Sequence, residues 1–298
     1  MIRYLLKIFE TVVSNIISDF LKEKFSKHRK ESQTKIENID LNVPNITYKP
    51  DTCNLVSVEQ DIIPISKRLE NVMNQMNINN IDEIDFIYKI ANQLGLENGN
   101  ILTNYIKGAE NPPFPFVNHF SLQFGINYNW LISGERNPFS NDEVSESSPL
   151  NYIKRIIELV PHSIYFVMNK SIQAEAGIVL KIIENKYIIF PKTYNISSYV
   201  GNTGEEQIFN FYQLIKKIDE KHISFKKGRI LEEETFNSLF EEKIYPGFLD
   251  LLENNHWWDD FLDIEHKYPV ATNYESWYGK EFIKAQEIVK RKMSFNTL

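Results

Sequence analysis

The sequence is short of most features that announce a function. One cysteine, Cys53, in 298 residues excludes a disulfide framework within the chain and any zinc site built from cysteines alone. That usage fits a reducing, cytoplasmic setting. Glycine is sparse, at 11 residues, and no internal repeat or long low-complexity tract is visible. Charge of one sign is also lacking. Lys+Arg total 33 against Asp+Glu 40, a net charge of -7, so no global basic surplus marks a nucleic-acid binder and any such claim must rest on local residues. Long apolar runs are missing too: the most apolar stretch, residues 1–26, is interrupted by Lys7, Glu10 and Asp19, which excludes a bilayer crossing there. No small-residue cleavage site follows it, so it does not read as a signal peptide.

What is present is ordinary folded composition. Hydrophobic residues make up 42%, charged residues 24% and aromatics 13%, with a mean hydropathy of -0.35. These values exclude a wholly disordered chain and a polytopic membrane protein, and the length suggests about two domains. Ile2, Leu6, Phe9, Val13, Ile16 and Phe20 alternate spacings of four and three, which predicts an amphipathic helix within residues 1–30. Lys22, Lys24, Lys27, Arg29 and Lys30 follow it. This pattern suits an anionic membrane surface or a DNA backbone, while the plainer reading is a helix that docks on its own body or pairs with a second copy. Residues 31–60 read as a polar linker and residues 139–149 as a second, acidic and serine-rich one.

Between the linkers, residues 61–138 read as a compact all-α module of five short helices. Leu69, Val72, Met73 and Met76 repeat at i, i+3, i+4, i+7, and so do Ile87, Ile90, Ala91 and Leu94. Gly95 then stops the second helix, since glycine adopts the left-handed backbone that a tight turn needs. A third helix at about 98–107 faces Ile101 and Tyr105 inward. Prolines 112, 113 and 115 close it off, and a fourth helix carries Val117, Phe120 and Phe124 on one face. A short last element holds Trp130 and Leu131. A helix that ends at glycine and passes at once into another is the geometry of a helix-turn-helix. The outward stripe of the second of these helices reads Asn100, Thr103, Asn104 and Lys107. Asparagine can pair with adenine through both amide atoms, and threonine offers a hydroxyl or a methyl. A polar stripe is equally what any solvated helix face displays.

These residues carry a resemblance. Arg68-Leu69, Ile90 to Leu96, Asn104-Tyr105 to Gly108 with Pro112 behind, and above all Phe124-Gly125-Ile126-Asn127-Tyr128-Asn129-Trp130-Leu131-Ile132-Ser133-Gly134-Glu135 resemble the Xre/Cro-type phage repressor helix-turn-helix family, over about a quarter of the chain. The resemblance implies that Ala91 lets the two helices cross closely and that Gly95 is the turn glycine. It places Asn98, Gly99, Asn100, Thr103 and Asn104 at recognition-helix positions, and Trp130 and Leu131 in the core. Lys89 and Lys107 complete the candidate DNA-binding set. The chain departs from the family in having Glu97 and Gly99 early in that helix, where basic or hydroxyl residues are usual. Residues 65–137 also hold five basic residues (Lys67, Arg68, Lys89, Lys107, Arg136) against seven acidic ones (Glu70, Asp82, Glu83, Asp85, Glu97, Glu110, Glu135). Each phosphate contact by Lys or Arg releases counterions, so this supply predicts weak non-specific affinity.

Residues 150–298 read as an α+β domain of unassigned role. Short aliphatic runs at Ile164 to Met168, Gly177 to Ile183 and Tyr187 to Phe190 predict strands, with Glu184-Asn185-Lys186 as a hairpin turn. Helices are expected at about 205–220, 232–242 and 275–292, over a small antiparallel sheet. Three places there have the residue types for chemistry, each with a plainer explanation. Ala176-Gly177 matches the dipeptide cut in self-cleaving repressors, yet Ser197 and Ser198 lack the setting of a nucleophile. His256, Asp259, Asp260, Asp263, Glu265 and His266 are metal-ligand types crowded together, but Trp257, Trp258, Phe261 and Leu262 among them suggest an aromatic anchor flanked by acids. Gly201 to Gly204 precede a helix start that could hold an anion, but Glu205 and Glu206 would repel one. The fold class is therefore α+β, with a five-helix helix-turn-helix module followed by a mixed domain. The expected function is a sequence-specific regulator that binds double-stranded DNA as a homodimer or higher oligomer, with no cofactor, metal or catalytic residue. The rival is an oligomeric or membrane-associated interaction protein, held through residues 1–30, that uses the module as a scaffold.

Overall fold

A computed structural model describes residues 64–141, 149–198 and 201–295, so the helix expected within residues 1–30 and the linker at 31–60 lie outside the described residues. The fold is α+β. Five helices come first: α1 (Ile65–Met76), α2 (Glu83–Gln93), α3 (Gly99–Lys107), α4 (Phe114–Phe124) and α5 (Tyr128–Ser133). Their apolar stripes are the ones that the spacing predicts: Leu69, Val72, Met73 and Met76 are buried on α1, and Ile87, Ile90 and Ala91 on α2. On α3 the inward face is rotated from the expectation. Leu102 and Ile106 are buried with Gly99 on one i, i+3, i+7 stripe, and Ile101 and Tyr105 flank it half-buried.

After α6 (Pro149–Leu159) come β1 (Ser163–Asn169), β2 (Glu175–Ile183), β3 (Lys186–Ile189) and β4 (Tyr194–Asn195). Then follow α7 (Asn202–Glu220), β5 (Phe225–Leu231), α8 (Glu233–Phe240), α9 (Trp257–Leu262), α10 (Tyr274–Tyr278) and α11 (Lys280–Phe295). The expected single helix at 275–292 is two, broken at Gly279, whose φ of 89° no helix can continue. The sheet runs in the order β3-β2-β1-β5, with β4 beside β2. It is mixed rather than antiparallel, because β5 lies parallel to β1 in the register Tyr165 to Lys227. The strand β5 is not among the strands expected from sequence, and Lys226, Lys227, Gly228 and Arg229 are unusual in a covered strand. Its charges are met locally. Lys226 pairs with Asp219 at 2.9 Å, Lys227 lies 3.6 Å from Asp250, and buried Arg229 donates to the Leu249 carbonyl at 2.6 Å.

Every residue of β1 is buried, and alternate residues face different helical layers. Ile164, Phe166 and Met168 meet the α6, α7, α9 and α11 side, where Trp257 is fully buried and donates its indole N–H to the Phe166 carbonyl at 3.1 Å. Tyr165 and Val167, with Val179, Tyr187 and Ile189, meet the core of the five-helix module and α8. The module and the sheet therefore share one hydrophobic core within one compact unit. The start of the expected linker at 139–149 belongs to that core. Phe139 is buried, its N–H donates to the Glu242 carbonyl, and Asn141 reaches the Ile189 carbonyl of β3 at 2.8 Å. Among the described residues no helix is long and apolar enough to cross a membrane.

Asp250 staples this side of the sheet. It ends the 3-10 turn Pro246–Asp250 and accepts hydrogen bonds from Tyr165 of β1, Lys181 of β2 at 2.6 Å and Tyr187 of β3 at 2.5 Å. Burial pushes its pKa up, but the bonds from Lys181, Tyr165 and Tyr187 outweigh this and hold it at about 2. A folded-state pKa below the unfolded value contributes stability that is complete above about pH 4. It is lost as pH falls through about 2. We expect Asp250→Asn to lower stability by about 1–2 kcal/mol at neutral pH, and the gap to wild type in urea midpoints to close by about pH 2. A second expectation concerns β5: a Cβ on Gly228 would lie 2.1 Å from the Asn255 carbonyl oxygen. Gly228→Ala should thus cost about 1–3 kcal/mol, measured by urea unfolding.

Candidate nucleic-acid interface

The helix pair α2–α3 is built from local signals. Asp82 caps α2, accepting from the Ile84 N–H at 2.9 Å, and Glu83 and Asp85 in the first turn suit the positive end of the helix dipole. Gly95 takes φ +65° and the Leu96 N–H returns to the Ala91 carbonyl at 3.0 Å, which reverses the chain in one step. Asn98 then caps α3 by accepting from the Asn100 N–H at 3.0 Å. Ala91 is buried where the helices meet, as a close crossing requires, and Leu131 is fully buried. Trp130 is half-buried against the same core.

The structure distributes the candidate DNA-contacting residues unevenly. Asn98, Asn100 and Lys107 are exposed. Gly99 is buried, because the ring of Tyr88 lies over it so closely that a Cβ there would come within 2.9 Å. Thr103 and Asn104 are half-buried and engaged: the Thr103 hydroxyl donates to the Gly99 carbonyl at 3.1 Å, and the Asn104 amide donates to Glu110 at 2.9 Å. These polar contacts all fall within residues 98–110, and Asn98 spends its side chain on the cap. That leaves Asn100 and Lys107 as the ridge residues with uncommitted side chains among the described residues.

Lys89 is placed otherwise than its assignment to DNA implies. It pairs with Glu184 at the tip of the β2–β3 hairpin, at 2.9 Å. One turn on, Gln93 also donates to Glu184, and Asn185 donates to Gln93 at 3.1 Å. Lys186 reaches the Leu122 carbonyl at the end of α4 at 2.7 Å. The hairpin thus grips α2 and α4. Sequence reasoning missed Gln93, Glu184 and Asn185 as neighbours, since nothing in local spacing links segments about ninety residues apart. Tyr88 carried a signal, an aromatic on the exposed face of α2 one turn after Ile84. The module's other cations, Lys107 excepted, are similarly occupied. Lys67 pairs with Glu70 at 2.7 Å, and Arg136 donates to the Asn141 carbonyl. Arg68 is buried and donates to the Leu131 and Ile132 carbonyls at 2.8 and 2.6 Å, fastening α1 to α5, and burial lowers its pKa.

At the three other places with chemical residue types, most of the polar side chains are engaged within the chain. Ala176-Gly177 lies inside β2, where Gly177 abuts the Phe240 ring. Ser197 donates to the Ile172 carbonyl at 2.7 Å, and Ser198 to Glu281. No group of His, Cys, Asp and Glu fit to hold a metal ion occurs among the described residues. Instead Asp263 accepts the Lys267 and Tyr268 N–H groups, and Asp260 accepts the Tyr278 hydroxyl at 2.6 Å. At the start of α7, Glu205 pairs with Arg291 at 2.7 Å and Glu206 with Lys292. No protein family matches the chain, and neither a curated protein nor a solved structure does.

The two exposed asparagines of the ridge have different physical duties. Asn98→Ala should cost about 1 kcal/mol through loss of the cap. Asn100→Ala should stay within about 0.5 kcal/mol of wild type. Urea midpoints of the two variants separate these outcomes.

Proposed function

We propose that the chain is a sequence-specific regulator that binds double-stranded DNA, with α3 of the α2–α3 pair docked in the major groove. The observation that carries the reading is the open ridge of α3. Asn100 and Lys107 face solvent on a helix that follows a glycine turn, and the polar contacts of the ridge are confined to residues 98–110. Asn100 supplies a base-edge donor and acceptor, and Lys107 a phosphate contact. The resemblance of residues 65–139 to phage repressors supports the same role. Reading a palindromic site takes two copies, so the active species in this proposal is a homodimer or higher oligomer, with the C-terminal part sensing or assembling.

One observation favours a second reading, an interaction protein that employs the module as a scaffold. Lys67, Arg68 and Lys89 are all engaged by the chain itself, and Asp82, Glu83 and Asp85 crowd the start of α2. Selection of DNA from a random pool with the full chain decides between them. The regulator reading expects enrichment of a defined motif. It further expects Asn100→Ala to weaken the selected site about tenfold or more with the fold unchanged by circular dichroism. Lys107→Gln should reduce the salt slope of log K by about 0.9. A pool that shows no enrichment overturns the regulator reading and leaves the scaffold.

A further inference from the structure

On the side of the sheet away from the five-helix module, α7, α11 and the segment after α9 enclose a groove in two joined compartments, of about 600 and 390 Å³. Both volumes lie within the range of small-molecule sites. Tyr212, Ile264 and Met293 line both compartments, and Phe209 extends the apolar floor of the larger one. The charges are sorted along it. The larger compartment carries Lys216 and Lys217, neither of which has a carboxylate partner among the described residues, whereas Lys290 is already neutralised by Glu265 at 2.8 Å. Glu220 at the rim is the one unpaired acid there. Lys216 lies over the Tyr212 ring, 5.9 Å from its centre.

The smaller compartment has the opposite sign. Asp219, Asp259, Asp263 and Glu265 line it against one cation, Lys267; Asp219 is paired with Lys226 at 2.9 Å, while the half-buried Asp259 carboxylate has no hydrogen-bond or ion-pair partner among the described residues. Burial, followed by repulsion from Asp219 and Asp260, raises the Asp259 pKa despite the opposing pull of His256 and Lys226, so a further cation placed there relieves an existing cost. Tyr212 and Tyr268 also line this compartment, and aromatic side chains suit an organic ammonium. We infer that the groove binds an elongated small molecule with an apolar middle, a carboxylate at one end and an ammonium at the other. The carboxylate lies at Lys216 and Lys217, the chain on Tyr212 and Met293, and the ammonium at Asp259.

Calorimetry on the full chain, with three probes below their micelle thresholds, tests this. ω-Aminododecanoate should bind at least about tenfold more tightly than dodecanoate or dodecylamine, since each of those leaves one end of the groove unmatched. Asp259→Asn should abolish the advantage over dodecanoate and keep the advantage over dodecylamine. The double variant Lys216→Gln, Lys217→Gln should do the reverse. Met293→Trp, which fills the shared floor, should weaken all three probes. Absence of binding, equal affinity for the three, or a preference that neither charge variant alters would overturn the assignment. Because Asp259, Lys216 and Lys217 are not core residues, those variants remain informative even where Met293→Trp fails to fold.

Discussion

Strand β1 lies in the middle of the molecule with side chains buried on both faces, and that constraint organises everything around it. A strand of this kind needs an apolar layer above and another below. The C-terminal helices provide one layer. The other is provided by α8 and by the five-helix module, so what the sequence presents as a self-contained DNA-binding cassette is also half of the cover of a sheet. The polar groups at this contact are distributed accordingly. Asp250 gathers Tyr165, Lys181 and Tyr187 from three strands, and the β2–β3 hairpin reaches across to α2 and α4.

This arrangement explains how the candidate interface comes to be poor in free cations. Lys89 neutralises a hairpin carboxylate, and Arg68 satisfies two carbonyls where α1 meets α5. Positive charge that an isolated module would offer to phosphate is used to hold the architecture. What is left fully exposed on the polar ridge of α3 is one amide, Asn100, and one ammonium, Lys107. The charge-sorted groove beyond the sheet lies on the opposite layer. The two are connected through β1 and β2 rather than through a flexible tether.

The helices of the module were legible because their residues repeat with the period of a helix and stop at glycine or proline. Leu69 to Met76 and Ile87 to Leu94 predict their elements to within a few residues, and the hairpin at Glu184-Asn185-Lys186 followed from its turn chemistry. The strand β5 was not legible. Its lysines and arginine are unusual in a strand, and they sit in a sheet because Asp219 just before it and Asp250 and the Leu249 carbonyl just after it fold back to meet them. The same holds for the candidate interface. The stripe Asn100, Thr103, Asn104, Lys107 followed from periodicity, whereas the cover of Tyr88 on Gly99 and the loss of Lys89 to Glu184 are products of tertiary contact.

The burial of Ile126, Phe139, Tyr187 and Ile189 in one core bears on how the molecule is made. Synthesis releases α1 to α5 from the ribosome well before β3 and β5 emerge, so the apolar side of the module waits, uncovered, for its sheet. For that interval the nascent chain carries a sticky surface of its own, and domain-by-domain maturation is closed to it. The apolar side of the module is covered completely only once residues up to Leu249 are in place.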